Sequence, residues 1–415
     1  MIHTIELIQS IHPDTIQSIL QLMADADRKK RKIDPVEDYV ELTARLRKDA
    51  VAGDYMDDVA QNVIYADYDM TTKHSHSAVL GNGINHFKLI RITSRAHQNQ
   101  DKTRGVINCS FYAVLEMNPR TMLDHDDTYT IRLYHPTTEA NDCIARNFNS
   151  WMSYVFGHDP RLESLCDFYE WDCHRIDYTC NMRFGSDTEF ELFQKLTHKT
   201  SKYSRTQKKR MQGIKTYDQS AAEGNKSYKS LFYDKHDECL KHYKEIDEPE
   251  RSCILLESVN VVRMEQQCKK GRIATLQKKY GFLDHKAWRY LREDIARDVL
   301  LDRYDKMVGD GDFYHREQAK DIIREKVPQK YMQDRLIQLI QLIAGKRHID
   351  VAQRVFTSPA EEGDKFPLAH GTIKTFRERI KAIRSLGIHP VMIEDACSVK
   401  FLRNPKHFIL ESTEA

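Results

Sequence analysis

The chain has 415 residues, 40% of them apolar and 30% charged, which excludes an intrinsically disordered protein and is enough for two or three globular domains. No apolar run is long enough to cross a bilayer and the N-terminus lacks the apolar core of a signal peptide, so we expect a cytoplasmic protein without membrane contact. The net charge is only +2, so nucleic-acid binding must be argued from local charge. The nine cysteines have no paired spacing, which indicates reduced thiols.

The N-terminal part of the chain is predicted to be helical over residues 1–60. Apolar side chains between Ile16 and Leu22 recur at helical spacing, and Asp34-Pro35 is typical of a helix start. From about residue 86 the apolar period changes to two, which is typical of strands. The segments with this period are HFKLIRIT, VINCSFYAVLEM and TYTIRLYH, and the polar link SRAHQNQDKTRG indicates a hairpin.

The central part of the chain continues with an amphipathic helix, EANDCIARNFNSWMSYVF, and a second group of strands. These strands are predicted over HRIDYTCNMRF, SYKSLFYDK and CILLESVNVVRMEQQCK, with a helix beginning at Asp187 after the first of them. After Gly271 the pattern is mostly helical. We therefore predict an α+β fold with a central antiparallel sheet and flanking helices. Its predicted domains are a mainly helical N-terminal region (1–85), a central sheet domain (86–280) and a mainly helical C-terminal domain (281–415).

Side chains that can carry chemistry recur on one face of four predicted strands. Because side chains alternate across a strand, one sheet surface can collect acidic, basic and phenolic groups. The set consists of Glu116, Asp177, Tyr233, Lys235, Arg263 and Glu265. Carboxylates can hold Mg²⁺ or Mn²⁺, a tyrosine hydroxyl can attack a phosphodiester, and a lysine can stabilise the developing charge. The set indicates phosphodiester transfer if the phenol is reachable from the side of the acids.

The same residues also have an ordinary structural interpretation. A tyrosine in a strand is most often a core or interface residue. Asp177 and Glu265 can equally be ion-paired with Arg175 and Arg263 at a sheet surface. Alternation alone does not separate these interpretations.

Five segments, taken in order, resemble the replication initiators of filamentous phages, the gene-two protein family. They are FYAVLEMNPRTML, HRIDYTCNM, KSLFYDKHDE, VVRMEQQCKKGRI followed by KKYG, and TFRERIKAIRSLGIHPVMI. The resemblance implies a rolling-circle transesterase domain of the replication-protein type over residues 86–280, with Tyr233 as the nicking nucleophile and Lys235 as its electrostatic helper. It places Asp177, Glu265 and Glu116 on acidic positions of the family. Their assignment as metal ligands comes from the sheet-face argument, which the resemblance supports.

The histidine pattern favours a carboxylate-rich metal site. No His-apolar-His motif occurs in a predicted strand, and His74 and His76 flank a serine in a polar stretch, where we expect them to be solvated. Oxygen ligands favour Mg²⁺ or Mn²⁺ over zinc.

A basic stretch over residues 199–230 is predicted to hold DNA, because it contains nine Lys or Arg and two acids, interleaved with tyrosines. A solvated loop is the alternative. The predicted DNA contacts are Lys199, Lys202, Arg205, Lys208, Lys209, Arg210, Lys215 and Lys229, together with Arg175 and Arg263. Near the C-terminus, TIKTFRERIKAIRSLGIHP can be a duplex-reading helix or an amphipathic packing helix, and packing is slightly favoured.

The predicted function is a rolling-circle initiator, a metal-dependent tyrosine nickase that cuts the origin through a 5′-phosphotyrosine intermediate and reseals the displaced strand. Expected partners are single-stranded or supercoiled origin DNA, a host polymerase and a host helicase, since no GxxxxGK[ST] loop is present. Self-association as a homodimer is left open. The alternatives are a non-catalytic origin-binding initiator or repressor of the same fold, and an RNA-binding or scaffolding protein.

Overall fold

The structure, a computed structural model, is α+β, with an antiparallel sheet flanked by helices, as the sequence predicts. It describes residues 1–15, 18–19, 64–69, 84–95, 107–124, 131–157, 159–200, 221–224, 227–244, 248–359 and 363–411. No helix within these ranges has the length and apolar character needed to cross a membrane. The chain divides into two compact units, Met1–Tyr178 with Gln267–Ile295, and Thr179–Gln266 with Ala296–Ala415.

The strands of the described residues are β1 (Ile2–Ile11), β2 (Ile64–Asp69), β3 (Ile84–Arg95), β4 (Ile107–Met117), β5 (Asp172–Arg183), β6 (Ala221–Gly224), β7 (Tyr228–Asp234), β8 (Val261–Cys268), β9 (Phe313–Tyr314) and β10 (Phe401–Leu402). The helices are α1 (Pro119–Asp124), α2 (Thr138–Phe156), α3 (Asp187–Thr200), α4 (Lys235–His242), α5 (Glu248–Ser258), α6 (Lys270–Tyr280), α7 (Glu293–Met307), α8 (Arg316–Lys326), α9 (Lys330–Lys346), α10 (Ile349–Thr357), α11 (Ile373–Ser385) and α12 (Lys406–Glu411). Short 3₁₀ helices lie at Pro13–Thr15, Pro160–Cys166, Phe168–Glu170 and Ala287–Tyr290.

The first unit contains an antiparallel sheet of five strands in the order β2-β3-β4-β1-β5, to which β5 contributes its first half. The apolar residues of adjacent strands meet in register, as where Ile5 pairs with Met117 and Leu7 with Leu115, and all four are fully buried. Helix α2 is capped at its N-terminus by Thr137, whose side chain accepts a hydrogen bond from the backbone N–H of Ala140. It buries one apolar stripe, as its amphipathic sequence predicts.

The N-terminal region contains strands where the sequence predicted a mainly helical segment over residues 1–85. Residues 2–11 form β1, and β2 follows at residues 64–69; the helices expected between Ile16 and Leu46 fall almost entirely outside the described residues. The pairing of β1 with β5 shifts register twice, between Ile2 and Thr4 and between Glu6 and Leu7. These irregularities break the two-residue period of the buried side chains, which conceals the strand in the sequence.

Three local predictions are corrected. TYTIRLYH was predicted as a strand, but in its described part only Tyr134 forms a bridge, with Ile2. CILLESVNVVRMEQQCK is not one strand, because its first residues end α5 before β8 begins. Lys235 is not a strand residue, because Asp234 caps α4 and Lys235 is that helix's first residue.

The second unit holds the last residues of β5 and most of β8, followed by β7 and β6 in the order β5-β8-β7-β6. It also holds helices α3 to α5 and, from Ala296 onward, the helical C-terminal part that the sequence predicted. There α9, α10 and α11 pack on one another, and the two-residue strands β9 and β10 pair with each other. Helix α11 is capped at its N-terminus by Thr372, whose hydroxyl accepts a hydrogen bond from the backbone N–H of Thr375.

Candidate active site

The phenol of Tyr233 lies near the end of β7 and faces an acid of the neighbouring strand β8. Its hydroxyl donates a hydrogen bond to Oε2 of Glu265 over 3.2 Å. Tyr233 is only 8% exposed, so the freely reachable phenol that the sequence argument required is not found. Burial, followed by the charge of Glu265, raises the pKa of Tyr233 well above its ordinary value. The phenol is therefore protonated and paired with a carboxylate.

Lys235 lies two residues after Tyr233, at the start of α4. The side chain of Asp234 accepts the backbone N–H groups of His236 (2.9 Å) and Asp237 (3.2 Å), which turns the chain from strand into helix. The ammonium group of Lys235 is 1% exposed and pairs with Glu238. Burial, and then the charge of Arg263, lowers the pKa of Lys235. The lysine predicted to assist the nucleophile is thus held in the interior by Glu238.

Arg263 occupies the buried surface of β8 and not the DNA-facing surface that the sequence predicted for it. It is 1% exposed, and its Nε donates to Oδ1 of Asn181 over 2.8 Å. This contact joins Arg263 to a neutral amide of β5. Arg263 lowers the pKa of the Tyr233 phenol, but burial and Glu265 dominate that pKa.

The other two predicted metal ligands, Glu116 and Asp177, lie in the first unit, where Arg175 joins them. Arg175 contacts Glu116 at 2.9 Å and Asp177 at 3.3 Å, and its Nη1 lies 3.9 Å from Glu6. Burial lowers the pKa of Arg175, but the charges of Asp177, Glu116 and Glu6 outweigh it and the pKa is raised. The ion-pair interpretation weighed from the sequence therefore describes Asp177, and Arg175 engages protein carboxylates.

Sequence reasoning missed two residues of this acidic cluster, Glu6 and His174. The ring Nδ1 of His174 contacts a carboxylate oxygen of Glu6, and both side chains are partly buried. Glu6 belongs to β1, which the sequence assigned to a helical region, so nothing placed it beside β5. Glu6 pairs in register with both Glu116 and Arg175. Recognition of β1 as the strand between β4 and β5 would therefore have identified Glu6.

The predicted metal ligands are divided between the two units. Glu116 and Asp177 belong to the first, and Glu265 to the second. Across the described part of the chain, no group of three or more His, Cys, Asp or Glu is arranged to hold a metal ion. Oε2 of Glu116 and Oδ1 of Asp177 contact the guanidinium of Arg175, so a divalent cation bound here would share these carboxylates with Arg175. Mg²⁺ or Mn²⁺ binding by these residues stays a prediction.

The basic stretch is described only at its ends. Lys199 lies at the end of α3 and pairs with Glu394 at 2.6 Å, and Lys229 is partly exposed in β7. The remaining predicted DNA contacts, Lys202, Arg205, Lys208, Lys209, Arg210 and Lys215, lie outside the described residues, as do His74 and His76.

Residues 136–287 match a family model that describes the N-terminal part of the phage replication-associated gene-two protein. The matched range contains Asp177, Tyr233, Lys235, Arg263 and Glu265, whereas Glu116 precedes it. The match confirms the resemblance inferred from the sequence and supports a role in phage DNA replication. The searches of curated proteins and of solved structures gave no match.

Proposed function

Because residues 136–287 match the N-terminal family of the replication-associated gene-two protein, we propose that the protein is a rolling-circle replication initiator that nicks origin DNA through Tyr233. The proposed reaction is a transesterification, first at the origin and later at the displaced strand. The single observation that carries the proposal is that the matched range includes the Tyr233–Glu265 hydrogen bond.

The chemistry at Tyr233 follows from that hydrogen bond. The phenol oxygen attacks the phosphorus, a tyrosine–phosphate bond forms, and the bond to the 3′ oxygen breaks. Glu265 accepts the phenol proton as the attack proceeds, and the departing oxygen takes up a proton to become a 3′ hydroxyl. Resealing is the reverse: a 3′ hydroxyl attacks the phosphotyrosine and the phenol is released. Because the pKa of the phenol is raised, removal of its proton by Glu265 is the step that the protein must assist.

Access of DNA to the phenol requires a change in its surroundings. With 8% of Tyr233 exposed, a phosphodiester can reach the hydroxyl only after neighbouring groups have moved aside. We expect DNA binding to expose Tyr233, so that the free protein keeps its nucleophile covered. A requirement for Mg²⁺ or Mn²⁺ is part of the proposal and rests on the sequence argument alone.

The burial of Tyr233 favours a second candidate, a non-catalytic origin-binding initiator or repressor of the same fold. In that case the Tyr233–Glu265 pair is a core hydrogen bond and no covalent adduct forms. Both candidates bind origin DNA, so binding alone does not separate them.

Tyr233→Phe tests the proposal directly, with Tyr280→Phe as the matched control. Each purified protein is incubated with end-labelled supercoiled or single-stranded origin DNA and Mg²⁺, and the DNA-linked peptide is mapped. We expect the parent and Tyr280→Phe to form an adduct on the β7 peptide and Tyr233→Phe to form none while still binding DNA. An adduct that persists in Tyr233→Phe overturns the site assignment, and no adduct in any protein supports the non-catalytic candidate.

A further inference from the structure

A cationic groove lies within the second unit, on helices that the proposed reaction does not use. It has a volume of about 1020 Å³ and is lined by side chains of α7, α10 and α11 together with the ends of α3 and β7. Five of its lining residues are basic and two are acidic. The basic residues are Arg303, Lys306, Arg377, Lys381 and Arg384. An excess of positive charge inside a concave surface attracts an anionic ligand.

Helix α11 supplies the basic residues that have no acidic partner of their own. Arg377 and Lys381 are exposed and make no ion pair with any residue that the structure describes. Residues four apart lie on the same face of a helix, and Arg384 follows one turn later, so the three cations extend over roughly 10 Å. The Nη2 of Arg384 donates to the carbonyl of Val308, whereas its buried Nε has no hydrogen-bond partner in this part of the chain.

The apolar side chains of α11 pack into the protein at the base of the groove, which accounts for both interpretations of the helix's sequence. Phe376, Ile380 and Ile383 are buried, as expected of a packing helix, while Arg377 and Lys381 remain outside. The helix is therefore held rigidly enough to present its cations at fixed spacing.

The other side chains that line the groove include Arg303, which is held in place by two contacts. The guanidinium of Arg303 stacks on the ring of Tyr228 with 4.1 Å between the guanidinium carbon and the ring centre, and its Nε donates to Ser230 over 3.2 Å. Lys306 is neutralised by Asp302 at 2.6 Å. Phe376 is only 4% exposed, so the groove does not offer a row of open rings on which bases could stack.

We propose that this groove binds the sugar–phosphate backbone of DNA, with Arg377 and Lys381 as its principal phosphate contacts. The inference rests on the proposed function, since it adds a binding site for the substrate of the same enzyme. The lining favours backbone contact over base reading, because it offers several cations and few exposed rings. In the sequence, the lining residues Thr200 and Tyr228 flank the basic stretch that was predicted to contact DNA.

The test compares two double variants of the full chain that lose the same charge. Arg377→Ala with Lys381→Ala removes the groove cations, and Lys330→Ala with Lys374→Ala removes two exposed lysines that do not line the groove. All four positions are exposed on helices where alanine is well tolerated, and thermal unfolding verifies that the fold is kept. Affinity for labelled single-stranded and duplex DNA is measured by fluorescence anisotropy over a range of salt concentrations.

We expect the groove variant to bind about tenfold more weakly than the control variant, and its plot of log affinity against log salt to lose a slope of roughly 1.4 for single strands or 1.8 for duplex. A loss confined to one form identifies which backbone the groove holds. Equal affinity and equal slope for the two variants with both DNA forms overturn the inference. If Tyr233 forms no adduct while the groove variant loses DNA binding, the nickase proposal fails and the groove proposal is supported. If Tyr233 forms an adduct while the groove variant binds DNA as the control does, the nickase proposal is supported and the groove proposal fails.

Discussion

The hydroxyl of Tyr233 and the carboxylate of Glu265 are joined by a 3.2 Å hydrogen bond between the neighbouring strands β7 and β8. The bond provides the phenol with an acceptor for its proton, and burial ensures that the proton does not leave unaided. The two side chains therefore have complementary roles in the proposed attack.

Glu265→Gln is expected to remove the proton acceptor while keeping a group that can hydrogen-bond to Tyr233. Loss of a positioned general base lowers a rate by about 10²–10⁴. We therefore expect single-turnover nicking to fall by a factor in that range, with DNA affinity unchanged. Glu257→Gln, a change in α5 outside the site, is the control. Nicking by Glu265→Gln at the parental rate would exclude Glu265 as the base.

Glu238 is expected to be essential for stability because it neutralises the buried ammonium of Lys235. Removing one partner of a buried pair leaves an uncompensated charge, which costs about 3–5 kcal/mol. Glu238→Ala should lower the free energy of unfolding by about that amount in urea denaturation. Lys235→Met combined with Glu238→Leu should recover most of the loss. A double variant as unstable as Glu238→Ala would show that packing, not the unpaired charge, is responsible.

A divalent cation is expected to be required for nicking, and the acids can be tested one at a time. Glu116→Gln and Asp177→Asn should raise the Mg²⁺ concentration that gives half-maximal nicking if these residues ligate the ion. If Asp177 serves only Arg175, Asp177→Asn will reduce stability and leave the Mg²⁺ requirement as in the parent. Nicking that persists in EDTA argues against any metal requirement.

His389 is expected to make folding stability depend on pH. It is fully buried, its Nδ1 accepts the backbone N–H of Val391, and its Nε2 lies 2.9 Å from the carbonyl of Val308. Burial lowers its pKa from 6.5 to about 3. Between these pH values the unfolded chain binds a proton that the folded chain does not, so stability is complete above pH 6.5 and falls as the pH drops.

The size of this effect can be isolated with His389→Gln. From pH 7 to pH 5 the histidine should account for a loss on the order of 2 kcal/mol in the free energy of unfolding. The variant should lack that part of the pH dependence, although it will be less stable than the parent at pH 7. Parallel stability curves for the two proteins would show that His389 is not the titrating group.

Regular alternation made β3, β4 and β5 predictable, and the strand–helix boundary at Lys235 could have been predicted as well. Asp234 followed by a helix-compatible stretch is an N-cap signal, which a strand interpretation of SYKSLFYDK passed over. The β1 strand was less accessible, because its register shifts remove the period on which such a prediction depends. The apolar run in α5 is short enough to suit either element.

Face alternation also accounts for what was found at the candidate site. It brought Tyr233 and Glu265 to one side, as the hydrogen bond between them demonstrates. It could not reveal that the phenol is covered, since burial depends on elements that pack over the strand. Nor could it show that Arg175 contacts both Glu116 and Asp177. Arg175 and Asp177 lie on the same strand face whether Asp177 binds a cation or pairs with Arg175.

The strands β5 and β8 each begin in one compact unit and end in the other, and the chain passes between the units a third time at Ile295 and Ala296. No single cleavage of the polypeptide can therefore liberate either unit intact. A fragment that ends at residue 280 would retain Tyr233 but lose the helices from Ala296 onward that complete its unit. Limited proteolysis should consequently yield fragments whose backbone is cut but which stay associated. Insertions that separate the two units in evolution would have to occur at more than one position in the gene.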